Sequence, residues 1–322
     1  MRFGSLFSGI GGFDLGFEQA GMECAWQVEY DAKARSVLQR HWPDAALYND
    51  VHHVYAPGVH SAGGSYLEPV DLVCGGFPCQ DLSVAGKRAG LAGERSGLWF
   101  EFHRILTELR PQWVVIENVP GLLSSNRGAD FAVILQGLVE LRYGVTWRVL
   151  DAQYFGVAQR RRRVFIVGSL GDGERCAQVL FEREGVPGHP APRGGEEEDC
   201  SAVPGNGVEG GRPYTIDWAA PITTTTIADP PGTARTLTAS RTLAVAYALP
   251  TRAQRNNLDS QTYVAEPHGI RRLTPTEYER LQGFPDGWTA GQSDSARYRQ
   301  LGNAVAVPVA RWIGKKLMEV LP

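Results

Sequence analysis

The chain has 322 residues, of which 43% are hydrophobic and 21% charged, so it can bury a sizeable core and is not globally disordered. A formal net charge of −3 excludes a protein that is basic over its whole surface, although a local basic cluster could still contact phosphate. The five cysteines include no Cys-x-x-Cys pair, which argues against a zinc site or a disulfide framework. No apolar run approaches the roughly 20 residues that span a bilayer. We therefore expect a cytoplasmic protein without membrane attachment or bound metal.

Short apolar runs alternate with helical patterns through the first half of the chain. This alternation predicts β-α-β units and a doubly wound, parallel α/β sheet. In such a sheet, ligands bind beyond the carboxyl ends of the strands. The predicted strands are Arg2–Phe7, Cys24–Glu29, Val70–Cys74, Trp113–Glu117, Val145–Leu150 and Val164–Gly168, and the predicted helices are Phe13–Gly21, Asp31–Trp42, Leu98–Leu109 and Phe131–Tyr143.

The composition changes after Gly168. Residues 171–211 are rich in Gly and Pro and carry the acidic run Glu196–Asp199, which predicts a mobile, solvated loop. Residues 212–270 are rich in Thr, Ala and Arg and contain no Lys, a pattern that favours short strands. Regular patterning returns at Leu273.

The chain closes with an apolar helix predicted over Val305–Leu317. We therefore divide the chain into a larger α/β domain, residues 1–171, which residues 300–322 complete, and a smaller unit, residues 172–299. The smaller unit contains the acidic Gly/Pro-rich loop near 183–211.

A glycine-rich turn, Phe7-Ser8-Gly9-Ile10-Gly11-Gly12, follows the first predicted strand, and Glu29 ends the next one 20 residues after Gly9. An acidic residue at this distance is placed to bond ribose hydroxyls. The glycine spacing differs from the pyrophosphate fingerprint, and no Lys-Ser/Thr follows. The pattern favours a nucleoside cofactor without a phosphate chain, the alternative being a tight turn that simply needs glycine.

Three reactive or charged groups follow or precede predicted strands. Cys79 follows a proline on a loop, which suits a nucleophile, although free cysteines are more often small buried residues. Glu117 ends a strand and is either a general acid or base or a helix cap. In the run 159–163, alternation along an extended segment puts Arg161 and Arg163 on one face, where they could clamp a phosphate or a base; otherwise the arginines form a solvated face.

Taken together, the motifs resemble the C5-cytosine DNA methyltransferase family of bacterial or phage type. The resemblance covers nearly the whole chain outside the insert, which is the stretch between the arginine run and Leu273. Six motifs in the family's order are far more specific than any one of them. They are Phe-Ser-Gly-Ile-Gly-Gly at 7–12, Pro-Cys-Gln at 78–80, Glu-Asn-Val at 117–119, Gln-Arg-Arg-Arg-Arg at 159–163, Arg-Leu-Thr-Pro-Thr-Glu-Tyr-Glu-Arg-Leu-Gln-Gly-Phe-Pro at 272–285 and Gln-Leu-Gly-Asn-Ala-Val at 300–305.

The resemblance implies a Rossmann-like, S-adenosylmethionine-dependent methyltransferase sheet with a smaller target-recognition domain. It also implies methyl transfer to C5 of a cytosine flipped out of a specific double-stranded DNA sequence. On this basis Cys79 is the nucleophile that adds to C6 of the ring, and Glu117 contacts the N3 edge. Arg161 and Arg163 lie near the target base and its phosphate.

The same resemblance implies a cofactor site and a DNA surface. Tyr30 stands where the family often has a tryptophan that stacks on adenine, and Asp50 bonds the adenine amino group. Asn303 and Val305 match a motif on the closing helix. The full cofactor set is Phe7, Gly9, Gly11, Gly12, Glu29, Tyr30, Asp50, Pro78, Asn303 and Val305, and the DNA-contact set is Gln80, Ser83, Arg235 and Arg241.

We expect a monomer that acts on double-stranded DNA and releases S-adenosylhomocysteine, with a cognate restriction endonuclease among its candidate partners. An RNA (tRNA) C5-cytosine methyltransferase and a catalytically silent DNA-binding relative are the alternatives. Asp229-Pro230-Pro231-Gly232 is similar to an amino-methyltransferase motif but lacks its aromatic residue and lies in the insert, so we interpret it as a turn. A flavin or nicotinamide oxidoreductase is disfavoured because the turn offers no pyrophosphate site.

Overall fold

The computed structural model describes residues 1–59, 63–78, 97–181, 263–266 and 269–320. Its centre is a seven-stranded sheet in the order β3-β2-β1-β6-β7-β9-β8. The strands of this sheet are β1 (Arg2–Leu6), β2 (Glu23–Val28), β3 (Ala46–Tyr48), β6 (Leu72–Gly75), β7 (Trp113–Asn118), β8 (Tyr143–Asp151) and β9 (Arg162–Leu170); two short pairs, β4 (Val54–Tyr55) with β5 (Ser65–Tyr66) and β10 (Tyr263–Glu266) with β11 (Gly269–Arg272), lie outside it.

The doubly wound α/β prediction is confirmed, but the prediction of a parallel sheet is wrong for β9. β9 lies between β7 and β8 and runs antiparallel to both, whereas the other neighbouring pairs are parallel. The cause is the short connection from β8 to β9, since a parallel crossover needs about a dozen residues or more. As a result, the amino end of β9 lies at the same edge as the carboxyl ends of β6 and β7.

Helices cover both faces of the sheet. They are α1 (Gly12–Glu18), α2 (Ala32–His41), α3 (Leu98–Leu109), α4 (Ala129–Glu140), α5 (Gly173–Leu180), α6 (Pro275–Gln282), α7 (Asp294–Asn303) and α8 (Val307–Glu319). The alternation of side chains along β7 explains the two covered faces, because Val114 and Ile116 pack under α3 and α4, whereas Trp113 and Val115 pack under α1, α5 and α8. No helix in the described ranges is long and apolar enough to cross a membrane.

Helix α5 occupies part of the segment that the sequence predicts to be a solvated loop, so the prediction is wrong for Gly173–Leu180. Asp172 caps the helix by accepting hydrogen bonds from the backbone N–H groups of Glu174 and Arg175. Cys176, Val179 and Leu180 are buried against the sheet. The sequence does not indicate this helix, because its amphipathic pattern is only about two turns long and lies among Gly and acidic residues. Residues 182–211, including the acidic run, lie outside the described residues.

The carboxy-terminal part of the chain packs on the amino-terminal part. Thr274 and Glu277 form a reciprocal capping box at the start of α6. Beyond α6, the indole Nε1 of Trp288 donates a 2.8 Å hydrogen bond to the backbone carbonyl of Ile10, inside the glycine-rich turn. Leu301 joins these residues in one apolar cluster with helix α2. Residues between 273 and 301 thus pack on residues of the predicted larger domain. The division of the chain into two domains stays a prediction.

Candidate functional site

The predicted site residues within the described ranges gather along one edge of the sheet. The carboxyl ends of β1, β2 and β3 lead into the glycine-rich turn, Glu29 and Asp50. The carboxyl ends of β6 and β7 lead into Pro78 and Glu117, and the reversed strand β9 brings its amino end and Arg163 to the same edge. From β1 the chain continues to β2 and β3 on one side, and from β6 it continues to β7 on the other side. Open α/β sheets form their ligand crevice at such a change of direction, here between β1 and β6. The edge therefore has two halves, a β1–β3 half and a β6–β9 half.

The glycine-rich turn has an unusual backbone. Phe7, Gly9 and Gly11 have φ angles of 54°, 58° and 84°, the left-handed region that a non-glycine residue such as Phe7 adopts only when its surroundings hold it there. A side chain on Gly12 would bring its Cβ within 2.5 Å of the Val305 carbonyl. Glycine at position 12 thus permits the turn to lie directly against the residues before α8.

Glu29 closes the turn from the neighbouring strand. Its Oε2 accepts a 2.7 Å hydrogen bond from the backbone N–H of Gly9, and its Oε1 accepts one of 2.7 Å from the N–H of Asp31. Burial raises the pKa of this carboxyl, and the two backbone donors oppose that rise. Each oxygen keeps a further lone pair for a ligand donor.

Asp50 follows β3 and caps the 3₁₀ turn Val51–His53. Its Oδ1 accepts hydrogen bonds from the backbone N–H of His52 at 2.9 Å and lies 2.8 Å from that residue's Nδ1, and its Oδ2 lies 3.1 Å from Nδ1 of His53. Partial burial works against ionisation, but these partners hold the pKa of Asp50 below its usual value. The carboxylate therefore stays a hydrogen-bond acceptor.

The residues of the β1–β3 half fit a nucleoside. Glu29 and Asp50 are two acceptors for hydroxyl and amino groups, and the Tyr30 ring, 82% exposed, is available to stack on a base. A Cβ placed on Gly9 would meet no atom within 4 Å, so the backbone of the turn faces open space. Among the described residues, no group of three or more His, Cys, Asp and Glu side chains could hold a metal ion.

A buried carboxylate with two arginines forms the β6–β9 half. Glu117 is only 7% exposed, and its Oε1 lies 2.9 Å from Nε of Arg163. Burial raises the pKa of Glu117, while the positive charges of Arg163 and Arg161 work in the opposite direction. Arg163 therefore pairs with Glu117, and the charge of the buried Arg161 acts on the same carboxyl.

Arg161 joins the two halves of the site. It is 2% exposed, and its Nη2 donates to the backbone carbonyls of Gly302 at 3.0 Å and Ala304 at 2.7 Å, on either side of Asn303. Its Nε and Nη1 have no hydrogen-bond partner in the described structure. Burial and the charge of Arg163 lower the pKa of Arg161 to about 9. These two nitrogens are hydrogen-bond donors that a ligand at this edge of the sheet could use.

Asn303 and Val305 differ from prediction in their location. They do not lie on the closing helix; Asn303 is the last residue of α7, and Val305 lies in the short link before α8. Asn303 is exposed and Val305 is buried. Proline at the second position of α8 explains the break, because Pro308 fits the first turn of a helix but cannot continue one.

Two residues that the sequence reasoning passed over hold the segment that leads to Cys79. Asn118 donates from its amide to the backbone carbonyl of Phe77 at 3.0 Å. A Cβ on Gly76 would lie 2.8 Å from Oε2 of Glu117, so only glycine lets the carboxylate rest on this backbone. Asn118 stands inside the Glu-Asn-Val motif and Gly76 two residues before Pro-Cys-Gln, yet their roles depend on contacts between β6 and β7.

Five predicted site residues lie outside the described residues, namely Cys79, Gln80, Ser83, Arg235 and Arg241. The segment that carries Cys79 is described as far as Pro78, which is exposed at the sheet edge.

A doubly wound sheet with a nucleoside-type half and a buried, arginine-flanked carboxylate is the arrangement of a group-transfer enzyme that uses a nucleoside cofactor. The family model for C-5 cytosine-specific DNA methylases matches residues 1–186 and 209–319 of this chain. The chain therefore belongs to that family and is a DNA cytosine-5-methyltransferase. The family resemblance of the six motifs is confirmed.

Two bacterial relatives are matched over most of their length. The type II methyltransferase M2.BsuMI of Bacillus subtilis is 32% identical over 99% of this chain and 76% of its own length. M.HpaII of Haemophilus parainfluenzae is 30% identical over 99% of this chain and 89% of its own.

Solved structures share the fold at lower identity. DNMT2 of Spodoptera frugiperda, in a mutant form, gives a TM-score of 0.62 at 18% identity and covers 98% of this chain and 99% of that one. The methyltransferase EhMeth of Entamoeba histolytica gives 0.62 at 16% identity, with 99% and 98% covered.

Proposed function

We propose that the enzyme binds S-adenosylmethionine in the β1–β3 half of the edge and the target cytosine in the β6–β9 half. The observation that carries this proposal is the position of Glu117. Its buried carboxylate lies between Arg163 and the Gly76 backbone, in the segment that leads to Cys79. An acid at N3 and a thiol at C6 of one cytosine must reach the same ring, and the neighbouring strands β6 and β7, which lead to Cys79 and Glu117, satisfy this requirement.

The cofactor would be held by its nucleoside. Glu29 would accept from the ribose hydroxyls, Asp50 from the adenine amino group, and Tyr30 would stack on the adenine ring. The other proposed contacts lie around the turn and the α7–α8 link: Phe7, Gly9, Gly11, Gly12, Pro78, Asn303 and Val305. When bound, S-adenosylmethionine supplies an electrophilic methyl group, and S-adenosylhomocysteine is the product that leaves.

Cys79 would begin the reaction on the base. Its thiolate adds to C6, forming an Sγ–C6 bond, and the electron pair of the C5=C6 bond becomes available at C5 for bonding to the methyl carbon. The C5 proton would then pass to a water molecule, and its electron pair would restore the C5=C6 bond as the Sγ–C6 bond breaks, which frees the Cys79 thiolate and leaves 5-methylcytosine. The nucleophile is thus regenerated in each turnover.

Glu117 would stabilise the ring while it carries negative charge. Because burial raises its pKa, Glu117 holds a proton more readily than an exposed glutamate and can donate it to N3 of the cytosine. Arg163 fixes the orientation of the carboxyl through Oε1, and the unpaired nitrogens of Arg161 would contact the base or its phosphate. These interactions would help to offset the few kcal/mol needed to flip a base from the helix.

Sequence recognition would belong to the smaller unit, residues 172–299, and to the loop that follows Cys79. We assign Arg235 and Arg241 to phosphate or base-edge contacts, and Gln80 and Ser83 to contacts beside the flipped base. The partner is double-stranded DNA, bound by a monomer in the cytoplasm, where bacterial DNA lies. The names of the type II relatives support a cognate restriction endonuclease as a second partner of the same sequence.

The direct test is to express the chain in cells that lack cytosine methylation and to map 5-methylcytosine in their plasmid DNA. We expect methylation at one short sequence with the wild type and with a Cys24→Ser control, and none with Cys79→Ser. Cys24 is a suitable control because it is a half-buried thiol on β2. Methylation by Cys79→Ser would disprove the covalent mechanism. Methylation confined to RNA would favour the tRNA alternative, and cofactor and DNA binding without turnover would favour a silent relative.

A further inference from the structure

Helix α3 holds the segment that carries Asp50. The chain after Asp50 forms the 3₁₀ turn Val51–His53 and the short strand β4, neither of which belongs to the main sheet. Since three residues of 3₁₀ helix have little stability of their own, the position of this segment depends on what it contacts. Besides its pairing with β5 and the burial of Val51 and Val54, the segment is hydrogen-bonded to two charged residues of α3, Arg104 and Glu108.

Arg104 uses its whole guanidinium group to make this contact. Nη2 donates to the backbone carbonyls of Val51 at 2.9 Å and Val54 at 3.0 Å. Nε and Nη1 donate to Glu101 and Glu108 at 2.8 Å each, so the two flanking carboxylates fix the plane of the fork. Charge-assisted bonds of this kind are the stronger and more directional ones.

Further contacts extend the same attachment. The guanidinium carbon of Arg104 lies 4.8 Å from the centre of the Tyr55 ring, within range of a cation–π interaction. The second oxygen of Glu108 accepts a 2.9 Å hydrogen bond from the backbone N–H of Ala56. The segment 51–56 is thereby bound to α3 at both ends.

Helix α3 also supports the other two parts of the site. The ring of Phe102 stacks on Phe7 of the glycine-rich turn, with centroids 6.4 Å apart. Phe77, two residues before Cys79, contacts both Phe102 and Trp99, with centroids 6.2 Å and 5.6 Å away. One rigid helix therefore sets the relative positions of the turn, the Cys79 segment and the Asp50 segment.

We propose that Arg104 is a positioning residue for the adenine end of the cofactor, which it does not touch: it fixes the carboxylate of Asp50 by holding the turn that Asp50 caps. The proposal rests on the proposed role of Asp50. It is specific to arginine, because a lysine ammonium is a point charge that cannot satisfy two carboxylates and two carbonyls in one plane. Loss of the fork would let the capped turn move and would misplace the acceptor of the adenine amino group.

The test measures binding of S-adenosylhomocysteine and of S-inosylhomocysteine, in which an oxygen replaces the adenine amino group, by titration calorimetry. The variants are Arg104→Lys and Asp50→Asn. Arg110→Lys is the matched control, because Arg110 lies at the end of the same helix and donates to the Leu141 carbonyl instead. A thermal melt of each variant measures any loss of global stability.

We expect Arg104→Lys to weaken binding of S-adenosylhomocysteine about tenfold, or about 1.4 kcal/mol, with kcat at saturating cofactor little changed. The preference for the amino analogue over the oxo analogue should fall in Arg104→Lys, as it does in Asp50→Asn, and should persist in Arg110→Lys. A wild-type preference in Arg104→Lys, whatever its melting temperature, would overturn the proposal.

The premise has its own readout. If Asp50→Asn binds both analogues as the wild type does, the proposed role of Asp50 fails and the role of Arg104 fails with it. The methylation experiment with Cys79→Ser would be unaffected by that result, so failure of this inference is distinguishable from failure of the proposed reaction.

Discussion

The side-chain amide of Asn118 is hydrogen-bonded to the backbone carbonyl of Phe77, so the end of β7 fixes the chain two residues before Cys79. Glu117 is the preceding residue on the same strand. The carboxyl that would stabilise the ring and the thiol that would attack it are thus located by adjacent residues of one strand.

Replacing Asn118 with alanine should lower kcat while leaving cofactor affinity unchanged. Without this hydrogen bond, the chain segment that leads to Cys79 can move. A displacement of about 1 Å can reduce a rate by about two orders of magnitude. Steady-state kinetics and calorimetric binding of S-adenosylhomocysteine would separate the two effects. Asn126→Ala is the control, since the side-chain amide of Asn126 bonds Asp130 and not the Phe77 carbonyl. Wild-type kcat in Asn118→Ala would show that the Phe77 contact does not position the nucleophile.

Gly76→Ala should also impair catalysis, through Glu117. The new Cβ would lie 2.8 Å from Oε2 of Glu117, so the carboxylate must move from its place beside Arg163. We expect kcat to fall about tenfold or more, as measured in single-turnover methylation assays. Gly121→Ala provides the comparison, because its Cβ would meet no atom closer than 4.0 Å. Equal rates for the two variants would mean that catalysis does not use the carboxylate position seen here.

Glu29→Gln should weaken cofactor binding by about tenfold or more, equivalent to about 1.4 kcal/mol. Both oxygens of Glu29 accept backbone N–H groups, and an amide would turn one acceptor into a donor that faces another donor. The Kd of S-adenosylhomocysteine is the quantity to measure. Glu23→Gln, at the start of the strand that Glu29 follows, is the control, as its side chain is 70% exposed and pairs with Arg2. Unchanged affinity in Glu29→Gln would remove Glu29 from the cofactor site.

Asp14 should make the stability of the protein depend on pH. Its buried carboxylate accepts hydrogen bonds from Gln27 Nε2 at 2.7 Å and Ser5 Oγ at 3.2 Å, but burial outweighs them and raises its pKa from 3.8 to about 6. The folded state therefore binds the proton more tightly than the unfolded state. Stability from this group is fully present below the unfolded pKa and is lost as pH rises through about 6.

The test compares urea unfolding of the wild type and of Asp14→Asn. Relative to the variant, the wild type should lose about 2 kcal/mol of unfolding free energy between about pH 4.5 and 7. The subtraction isolates Asp14, because every other titrating group is common to both proteins. A difference that does not vary with pH would show that Asp14 has an ordinary pKa.

The sequence predicts much of the site because the informative residues stand at strand ends. Glu29, Glu117 and the glycine-rich turn each follow an apolar run, and the geometry of parallel strands brings such positions to one edge. The direction of β9 could not be predicted in the same way. The alternation of apolar residues indicates which side chains of a strand are buried, but not whether the strand runs parallel or antiparallel to its neighbours. The antiparallel direction of β9 follows from the short link after β8, which the structure shows.

Other features escaped prediction because they use the backbone. The acceptors of Arg161 are the carbonyls of Gly302 and Ala304, and that of Trp288 is the carbonyl of Ile10. Every residue has a backbone carbonyl group, so the residue types in the sequence do not indicate which carbonyl accepts a hydrogen bond. The three-residue strand β3 was missed for a different reason, since so short a run carries almost no periodic signal.

The contact of the glycine-rich turn with the link before α8 has a consequence for synthesis of the protein. Gly12 lies against Val305, and Gly16 against Ala310, so α1 completes its packing only with residues far downstream, at and just before α8. A nascent chain on the ribosome would carry β1 and α1 with an open apolar face until α8 has emerged. We therefore expect ribosome-bound intermediates to bind chaperones rather than cofactor, and maturation to begin only after translation has passed Leu317.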